Sequence, residues 1–470
     1  MKELSANYAE NIEFFDKTLR INENFDLVKR KLLVGKDELT LYCIDGFVKG
    51  DILQKMMLHF ISLEQLTSGD DAAQEFADRH IPYVEIELSN SHEVVLLKVL
   101  SGSVAIFGST FGGKCILIDA KSYPQRSTAE PESDRVMRGS RDGFVETLKH
   151  NITLIRRRIR DPNLAVMKKT VGDKSPTDLA LLYINGAADP EYVNHVSKML
   201  DNIKTVSLTM GHESLAECLI KNRWYNPFPK IRSTERPDTA AAQLLEGNVI
   251  ILCDNSPEAM MLPTSIFDFL QEADDYYFPP FTGTYLRILR HLIFWLTLFL
   301  TPLWYLLIKN TALLPDWLSF IIPTAAGEIP IVIQLLMAEL AIDGLKLASM
   351  NTPNILTNSL SVVAGIILGD FAVKIGWLIP EVILYMAFVA IANFTQPSYE
   401  LGYAFKFMRM LLIVLVGLFN VWGFVGGTLL IITLIATNKT VNGKRSYLYP
   451  LIPFDRKALV RLLVRVRKDD

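Results

Sequence analysis

Residues 353–403 read PNILTNSLSVVAGIILGDFAVKIGWLIPEVILYMAFVAIANFTQPSYELGY, a stretch apolar enough to lie in lipid. Asp370, Lys374 and Glu381 nevertheless lie within or beside its hydrophobic runs. Each ionisable side chain at membrane depth costs about 2.5–3.5 kcal/mol on insertion scales, so such residues usually face a partner, a cavity or a pathway. In a helix from Ser359 to Ile379, Asp370 falls near mid-membrane and Lys374 follows one turn later on the same face. The stretch therefore predicts an Asp370–Lys374 pair, either a structural clasp between helices or part of an ion path.

Composition indicates a chain with a soluble part and a membrane part. Half of the 470 residues are hydrophobic, and the length exceeds that of one ordinary domain. The net charge of −3 is close to neutral, which argues against a nucleic-acid partner. The N-terminus, MKELSANYAENIEFF, is charged and has no long apolar core, so the sequence predicts no secretory signal peptide and a cytoplasmic first domain.

The residues that usually carry catalysis or bind metals form no pattern in this sequence. Four cysteines lie far apart without a CxxC or Cys/His spacing, and they are expected to be buried thiols in a reducing compartment. The seven histidines are scattered, and no Ser/His/Asp constellation is visible. We therefore expect no metal, no cofactor and no enzymatic activity.

The N-terminal half predicts a cytoplasmic α/β region of two lobes, because helix-like and strand-like segments alternate. Residues 1–121 form the first lobe, 122–144 a polar linker punctuated by Pro and Gly, and 145–280 the second lobe. Residues 3–34 carry apolar residues at helical spacing and predict two amphipathic helices. The remaining predicted elements alternate between helix and strand. Helices are expected at 49–64, 145–161 and 189–203, and strands at 37–47, 81–89, 164–172 and 177–186.

A Gly-rich turn in the first lobe matches a phosphate-binding loop in part. Gly108 to Lys114 fits G-x-x-x-x-G-K after a strand, but Cys115 replaces the Ser/Thr that would bind Mg²⁺. The residues that follow, CILIDA, look like a strand rather than the helix that should cradle phosphate. A β-hairpin turn is therefore predicted over nucleotide binding.

A run of arginines in the second lobe has two interpretations. Arg156, Arg157, Arg158 and Arg160 lie on one predicted helix. They are candidates for contacts with phosphate or an acidic partner, whereas a solvated helix face is the ordinary role of such a charge run.

The C-terminal half predicts an α-helical polytopic membrane domain at 281–438, followed by a basic cytoplasmic tail at 439–470. Five hydrophobic segments make up the membrane domain: 288–308, 317–342, 360–380, 382–396 and 408–436. Lys and Arg before the first segment and throughout the tail place both termini in the cytoplasm. That parity excludes five full crossings, so four spans plus one broken or re-entrant segment are expected.

The second segment is the expected break, because it contains Pro323, Gly327, Glu328 and Pro330. Beyond the break, Glu339, Asp343 and Lys346 share one helix face. Together with Asp370, Lys374 and Glu381, these charges exceed the number that a simple membrane anchor requires.

Close helix packing is predicted in the last segment. Gly423 and Gly427 have the G-x-x-x-G spacing that lets two helices approach closely.

Four stretches carry a family resemblance. RGSRDGFVETLKHNITLIRRRIRDP (138–162), NPFPKIRSTERPD (226–238), VIILCDNSPEAMMLPT (249–264) and SLSVVAGIILGDFAVKIG (359–376) resemble signature segments of A subunits of GerA-type spore germination receptors. The similarity runs from about residue 35 to the end of the chain. Within the family, PEVILYMAFVAIANFTQPSYELG (380–402) is most similar to the AF-type sporulation branch.

The resemblance implies a multi-pass protein of the spore inner membrane. It also implies that the protein forms homo-oligomeric rings, contacts membrane lipid and has other germination membrane subunits as partners. Family A subunits are thought to conduct ions when germination is triggered, and the AF-type branch to assist or amplify that release.

The leading hypothesis is a cation-permeable channel subunit, because acidic rings favour cations. Its candidate pathway or buried-charge residues are Glu328, Glu339, Asp343, Asp370, Lys374 and Glu381. Two alternatives stay open: a non-conducting scaffold or signal relay, whose charges clamp helices, and a secondary transporter, which would predict an internal repeat among the membrane segments.

Overall fold

The computed structural model describes residues 3–69, 71–121, 139–220, 225–324, 327–351, 365, 372–438, 440–441 and 446–465. The chain divides into two units. One unit, called here the lobed unit, comprises Met1–Lys221 and Ile231–Thr264. The other, called the helical unit, comprises Asn222–Lys230 and Ser265–Asp470.

Lobe 1 of the lobed unit is one five-stranded sheet with helices on both faces. Its elements are α1 (Tyr8–Thr18), β1 (Leu27–Val34), β2 (Asp37–Ile44), α2 (Gly50–Ile61), α3 (Ala72–His80), β3 (Ile86–Ser89), α4 (His92–Leu100), β4 (Val104–Gly108) and β5 (Cys115–Ile118). The strand order is β1-β2-β4-β5-β3, and each neighbouring pair is antiparallel.

Lobe 2 repeats this arrangement. Its elements are α5 (Leu148–Arg158), β6 (Leu164–Val171), β7 (Thr177–Ile184), α6 (Pro190–Asp201), α7 (His212–Leu219), β8 (Arg232–Thr234), α8 (Pro237–Leu245), β9 (Val249–Cys253) and β10 (Ala259–Leu262). The strand order, β6-β7-β9-β10-β8, is that of lobe 1, and the pairs are again antiparallel. The two lobes are therefore two copies of one topology.

Equivalent residues fix the backbone at equivalent places in the two lobes. Asn11 on α1 accepts from Ser5 N (2.9 Å) and donates to Ser5 O (2.7 Å). Asn151 on α5 brackets Val145 in the same way, accepting from its N at 2.8 Å and donating to its O at 2.5 Å. Each asparagine thereby ties the chain that enters its lobe to the first helix.

The sequence prediction is confirmed for the mixed helix and strand content, while the antiparallel pairing of the sheets is a finding of the structure. The expectation of two helices in residues 3–34 is wrong in its second half, because Leu27–Val34 is a strand paired with β2 in full register from Leu27↔Ile44 to Val34↔Asp37. Leu32 and Val34 pack with Met56 and Phe60 of α2, and Leu27 packs in the core on the other face, so tertiary packing of the sheet overrides the helix-like spacing.

The Gly-rich turn of lobe 1 is a hairpin turn, as predicted. It joins β4 to β5, whose strands pair from Val104↔Ile118 to Ile106↔Ile116. The Lys114 ammonium lies 2.8 Å from the Asp71 carboxylate, and Cys115 is the buried first residue of a strand. No helix follows to cradle phosphate.

Among the described residues of the helical unit, two helices are long and apolar enough by composition to span a membrane, Pro280–Lys309 and Tyr399–Ala436. Its labelled helices are α9 (Asp274–Tyr277), α10 (Pro280–Lys309), α11 (Ile331–Asn351), α12 (Pro380–Phe394), α13 (Tyr399–Ala436) and α14 (Arg456–Leu463). The predicted break precedes α11, which begins directly after Pro330.

Helix α13 is broken at Asn420, where φ is 55°. A Cβ at Gly423 would lie 1.9 Å from the Leu415 carbonyl oxygen, and one at Gly427 would lie 2.6 Å from Leu412 Cδ2. The chain after Asn420 therefore folds back against the part before it, forming a helical hairpin. The prediction of close packing at the G-x-x-x-G spacing is confirmed, although the contact lies within one predicted segment.

Candidate charge network in the helical unit

A cluster of ionisable side chains lies between α11 and α13. Glu339, Asp343 and Lys346 follow at i, i+4 and i+7 along α11, so they share one face of that helix. Lys406 and Arg409 occupy one face of α13 at i and i+3. Helical periodicity thus brings two acidic and three basic residues to one interface.

The innermost contact is the ion pair between Glu339 and Arg409. Arg409 Nε and Nη2 each lie 2.6 Å from Glu339 Oε1, and Nη1 donates to the Thr297 carbonyl of α10 at 2.7 Å. The side chains are 2% and 0% exposed. This pair links three helices, and removing one partner of such a buried pair typically costs about 3–5 kcal/mol.

The second contact is made by Lys406, which forms an ion pair with Asp343 and lies 3.7 Å from Glu339. Asp343 differs from Glu339 in its access to solvent, since its side chain is 33% exposed. Glu339, Asp343, Lys406 and Arg409 together are electrically balanced, which allows their burial.

A cavity of about 40 Å³ adjoins the network and is lined in part by Glu339, Asp343, Lys346 and Lys406. It is large enough for one or more waters, which need about 10–15 Å³ each on this measure. Asn393, which also lines the cavity, has a buried Oδ1 that accepts no hydrogen bond from the described residues. The cavity therefore offers both charge and a vacant acceptor.

Lys346 is held by aromatic rings. Its ammonium lies 4.9 Å from the Tyr399 ring centre and 4.5 Å from that of Tyr403. Such cation–π contacts hold a lysine without neutralising it.

Sequence reasoning missed Lys406 and Arg409. The last predicted hydrophobic segment begins at residue 408, so Lys406 lies outside it. The available signal was FKFMRM at 405–410, two bases three residues apart at the start of a long apolar run. Bases at that spacing are expected opposite the acids of α11.

The other predicted charges lie elsewhere. Glu381 Oε1 accepts from the Thr324 backbone N at 3.3 Å, while its buried Oε2 has no hydrogen-bond partner within the part of the chain that the structure describes. Glu328 and Lys374 are exposed. Asp370 lies outside the described residues, so the Asp370–Lys374 pair stays a prediction.

Two of the predicted contact arginines are used inside the lobed unit. Arg156 is fully buried, with Nε and Nη2 donating to the two carboxylate oxygens of Asp26 at 2.9 and 3.0 Å. It joins lobe 2 to lobe 1. Arg158 binds the Asp142 carboxylate at 2.6 Å. Arg157 and Arg160 remain exposed.

A buried polar cluster in lobe 2 centres on His212. Its Nδ1 lies 2.6 Å from Ser256 Oγ, and its Nε2 lies 3.2 Å from Glu258 and 3.3 Å from Glu213. Burial opposes the charged imidazolium, but the two carboxylates outweigh it and raise the pKa of His212 to about 9. Burial likewise opposes ionisation of Glu258, yet His212 and Ser233 hold the pKa of its carboxyl below the usual value.

The described residues thus comprise two antiparallel α/β lobes and an apolar helical unit with buried ion pairs. The family model described as Bacillus/Clostridium GerA spore germination protein matches residues 16–469. The chain therefore belongs to the GerA family of spore germination proteins.

Two sequence relatives agree with the family match. Stage V sporulation protein AF of Bacillus subtilis is 38% identical over 463 residues, spanning 98% of this chain and 93% of that protein. Spore germination protein KA of the same organism is 27% identical over 471 residues, spanning 98% and 85%. The N-terminal domain of the A subunit of the Bacillus megaterium germinant receptor GerK3 covers 56% of this chain and 96% of its own, with 22% identity and a TM-score of 0.43.

Proposed function

We propose that this protein is a subunit of an oligomeric cation channel in the spore inner membrane, and that it triggers or amplifies germination. The observation that carries the proposal is the charge network between α11 and α13, beside a cavity in an apolar helical unit. Membership of the GerA family supports the role in germination. Acidic side chains at membrane depth favour cations over anions.

Within the network, Asp343 is proposed as the pathway residue and Glu339 as a positioning residue. Glu339 is nearly fully buried and bound to Arg409, so it holds α11 against α10 and α13. Asp343 is the more exposed acid and lines the cavity. A ring of subunits would bring one such aspartate from each copy to a common axis.

The proposed topology has both termini in the cytoplasm. Arg287, near the start of α10, donates to the Arg461 carbonyl of α14 at 2.7 Å, and Arg465 N donates to Thr284 Oγ1 at 3.1 Å. The beginning of the first long helix and the basic tail thus lie at one end of the helical unit. The hairpin at Asn420 supports this arrangement, because it returns the chain to that end.

The second candidate function is a non-conducting scaffold or relay, which would act with other germination subunits as its partners. The specific observation in its favour is the balance of the network, where each acid of α11 meets a base of α13. A purely structural clamp would have the same pairing.

Cation flux through the reconstituted protein separates the two functions. Asp343→Asn should reduce potassium efflux from proteoliposomes roughly tenfold, because it removes the exposed acid of the pathway. Glu339→Gln should instead lower the amount of folded protein, because it leaves Arg409 buried and unpaired. Native mass in detergent, measured first, should show a closed ring.

Unchanged flux in Asp343→Asn at equal protein content and equal native mass would contradict the channel and favour the scaffold. Asp370→Asn tests the second predicted acid in the same assay.

A further inference from the structure

Lobe 2 contains a surface groove beside α6 and α7. The groove has a volume of about 460 Å³ and lies between the C-terminal half of α6, the residues just after it, and the end of α7. Binding sites for small molecules in proteins usually measure about 300–1,000 Å³. The size therefore suits a small organic molecule.

The equivalent place in lobe 1 carries a pair of histidines in contact. His59 Nε2 on α2 lies 3.3 Å from His80 Nδ1 at the end of α3, and the ring of Phe76 packs against His80 with centres 5.1 Å apart. Each third helix ends before an isoleucine in extended conformation, Ile81 in lobe 1 and Ile220 in lobe 2. In lobe 2, the positions that match the two histidines carry Met199 and Leu219, which line the open groove instead.

The groove combines an apolar floor with cationic walls. Met199 and Ile203 are half-buried, whereas His195, Lys198 and Lys204 are exposed along its sides. Among the described residues, none of these three side chains forms an ion pair. Asp201, the nearest acid on α6, is bound by Lys169 at 2.8 Å, so the positive charge of the two groove lysines is not cancelled on that helix.

A basic residue near a helix C-terminus ordinarily complements the helix dipole. Lys198, in the last turn of α6, satisfies that role. Lys204 lies beyond the helix end and lines the same groove, so the positive charge exceeds what the dipole requires.

We propose that this groove binds a small organic anion, a carboxylate or phosphate ester with an apolar body. The two lysines would hold the anionic group, and Met199 and Ile203 would cover the apolar part. This site is independent of the channel proposed for the helical unit.

Cys218 provides a reporter, because it lines the groove and is exposed while Cys43, Cys115 and Cys253 are buried. The rate of its modification in the full-length protein is measured with an anionic sulfonatoethyl thiosulfonate and with a cationic trimethylammonium thiosulfonate. Each rate is divided by the rate of the same reagent with free 2-mercaptoethanol, which removes the difference in intrinsic reactivity toward a thiolate. At low salt the normalised rate of the anionic reagent should be about threefold to tenfold higher, since the positive groove concentrates it. The ratio should fall toward one in Lys198→Gln/Lys204→Gln.

The matched control is Lys55→Gln, an exposed lysine on α2, the helix of lobe 1 equivalent to α6. It should leave the ratio unchanged. In a second arm, hexanoate should slow the labelling of Cys218 in a saturable way, and uncharged hexanamide should not.

Equal rates with the two reagents would overturn the proposal, as would equal protection by hexanoate and hexanamide. Protection by hexaglutamate but not by hexanoate would also overturn it, and would assign the groove to an acidic protein segment.

Discussion

Lobe 1 and lobe 2 follow the same succession of helices and strands, and Asp16 holds in lobe 1 the place that Arg156 holds in lobe 2. Each lies five residues after the asparagine that brackets the entry of its lobe. Asp16 is satisfied within its own lobe, by Lys29 at 2.5 Å and the Tyr42 hydroxyl at 2.8 Å. Arg156 binds across the junction to Asp26. One copy of the duplicated position therefore stabilises a lobe, and the other joins two lobes.

Comparison of the two lobes shows which residues this duplicated fold retains. Asparagine brackets and positive-φ glycines recur because the backbone requires them. Side chains outside those constraints diverge, so one copy carries the His59–His80 contact and the other carries Met199 and Leu219 along a groove.

The junction between the lobes should give the largest effect. Arg156→Met leaves Asp26 buried without a partner, and we expect the unfolding free energy of the lobed unit to fall by about 3–5 kcal/mol. Hydrogen exchange of peptides from β1 and β6 in the full-length protein measures the loss. Asp16→Asn, whose side chain is part-exposed, should cost about 1 kcal/mol or less.

The double variant Asp26→Leu/Arg156→Met is the control for an uncompensated charge. It should recover much of the loss, because a buried pair replaced by apolar groups is often neutral. Equal hydrogen-exchange rates in the Arg156 and Asp16 single variants would contradict the proposal that Arg156 joins the two lobes while Asp16 stabilises only its own lobe.

The next effect concerns the His212 cluster of lobe 2. The pKa of His212 in the folded protein is about 9, above the value of about 6.5 expected in the unfolded chain. The contribution of protonated His212 to the free energy of unfolding is therefore complete below about pH 6.5 and is lost as the pH rises through 9. After a discount for solvent screening, we expect about 1–2 kcal/mol.

Hydrogen exchange of β9 and β10 between pH 6 and 9.5, corrected for intrinsic exchange, tests the sign. Protection should fall with rising pH in the native protein and stay level in His212→Gln. Glu258 does not disturb this window, because its lowered pKa confines its loss of stability to acid. A decline of equal size in His212→Gln would show that another group is responsible.

Sequence reasoning identified local elements better than their pairing. The hairpin at Gly108–Lys114 was predictable because its turn and both strands are adjacent in the chain. Strand β1 was not, since it pairs with β2 and its Leu32 and Val34 are buried by packing of the sheet against α2. The duplication was not predictable either, because few residues recur and they are widely separated. Examples are Ile44-Asp45-Gly46 and Ile184-Asn185-Gly186.

In the helical unit, the acids were predictable and their partners were not. Glu339 and Asp343 interrupt an apolar run, which is a local signal. Lys406 and Arg409 lie at the edge of another run, and only the approach of α13 to α11 gives them their roles. The reversal at Asn420 likewise depends on packing after the turn.

The smallest effect separates two equivalent glycines. Gly46 and Gly186 both follow the second strand of their lobe with φ of +89°. Alanine at Gly186 would meet no atom within 4 Å, whereas a Cβ at Gly46 would lie 2.8 Å from Thr153 Oγ1 on α5. Gly186→Ala should therefore cost only backbone strain, about 1–2 kcal/mol, and Gly46→Ala should cost more because Thr153 must move.

In a Thr153→Ala background, the added cost of Gly46→Ala should drop to that of Gly186→Ala, since only the strain common to both turns remains. The unfolding midpoints of Gly46→Ala and Gly186→Ala against the native protein, and of Gly46→Ala/Thr153→Ala against Thr153→Ala, provide the comparison. If Gly46→Ala were no more costly than Gly186→Ala in the native background, the close approach of α5 to this turn would be wrong. The two lobes would then differ in side chains alone, and not in how tightly each turn is packed.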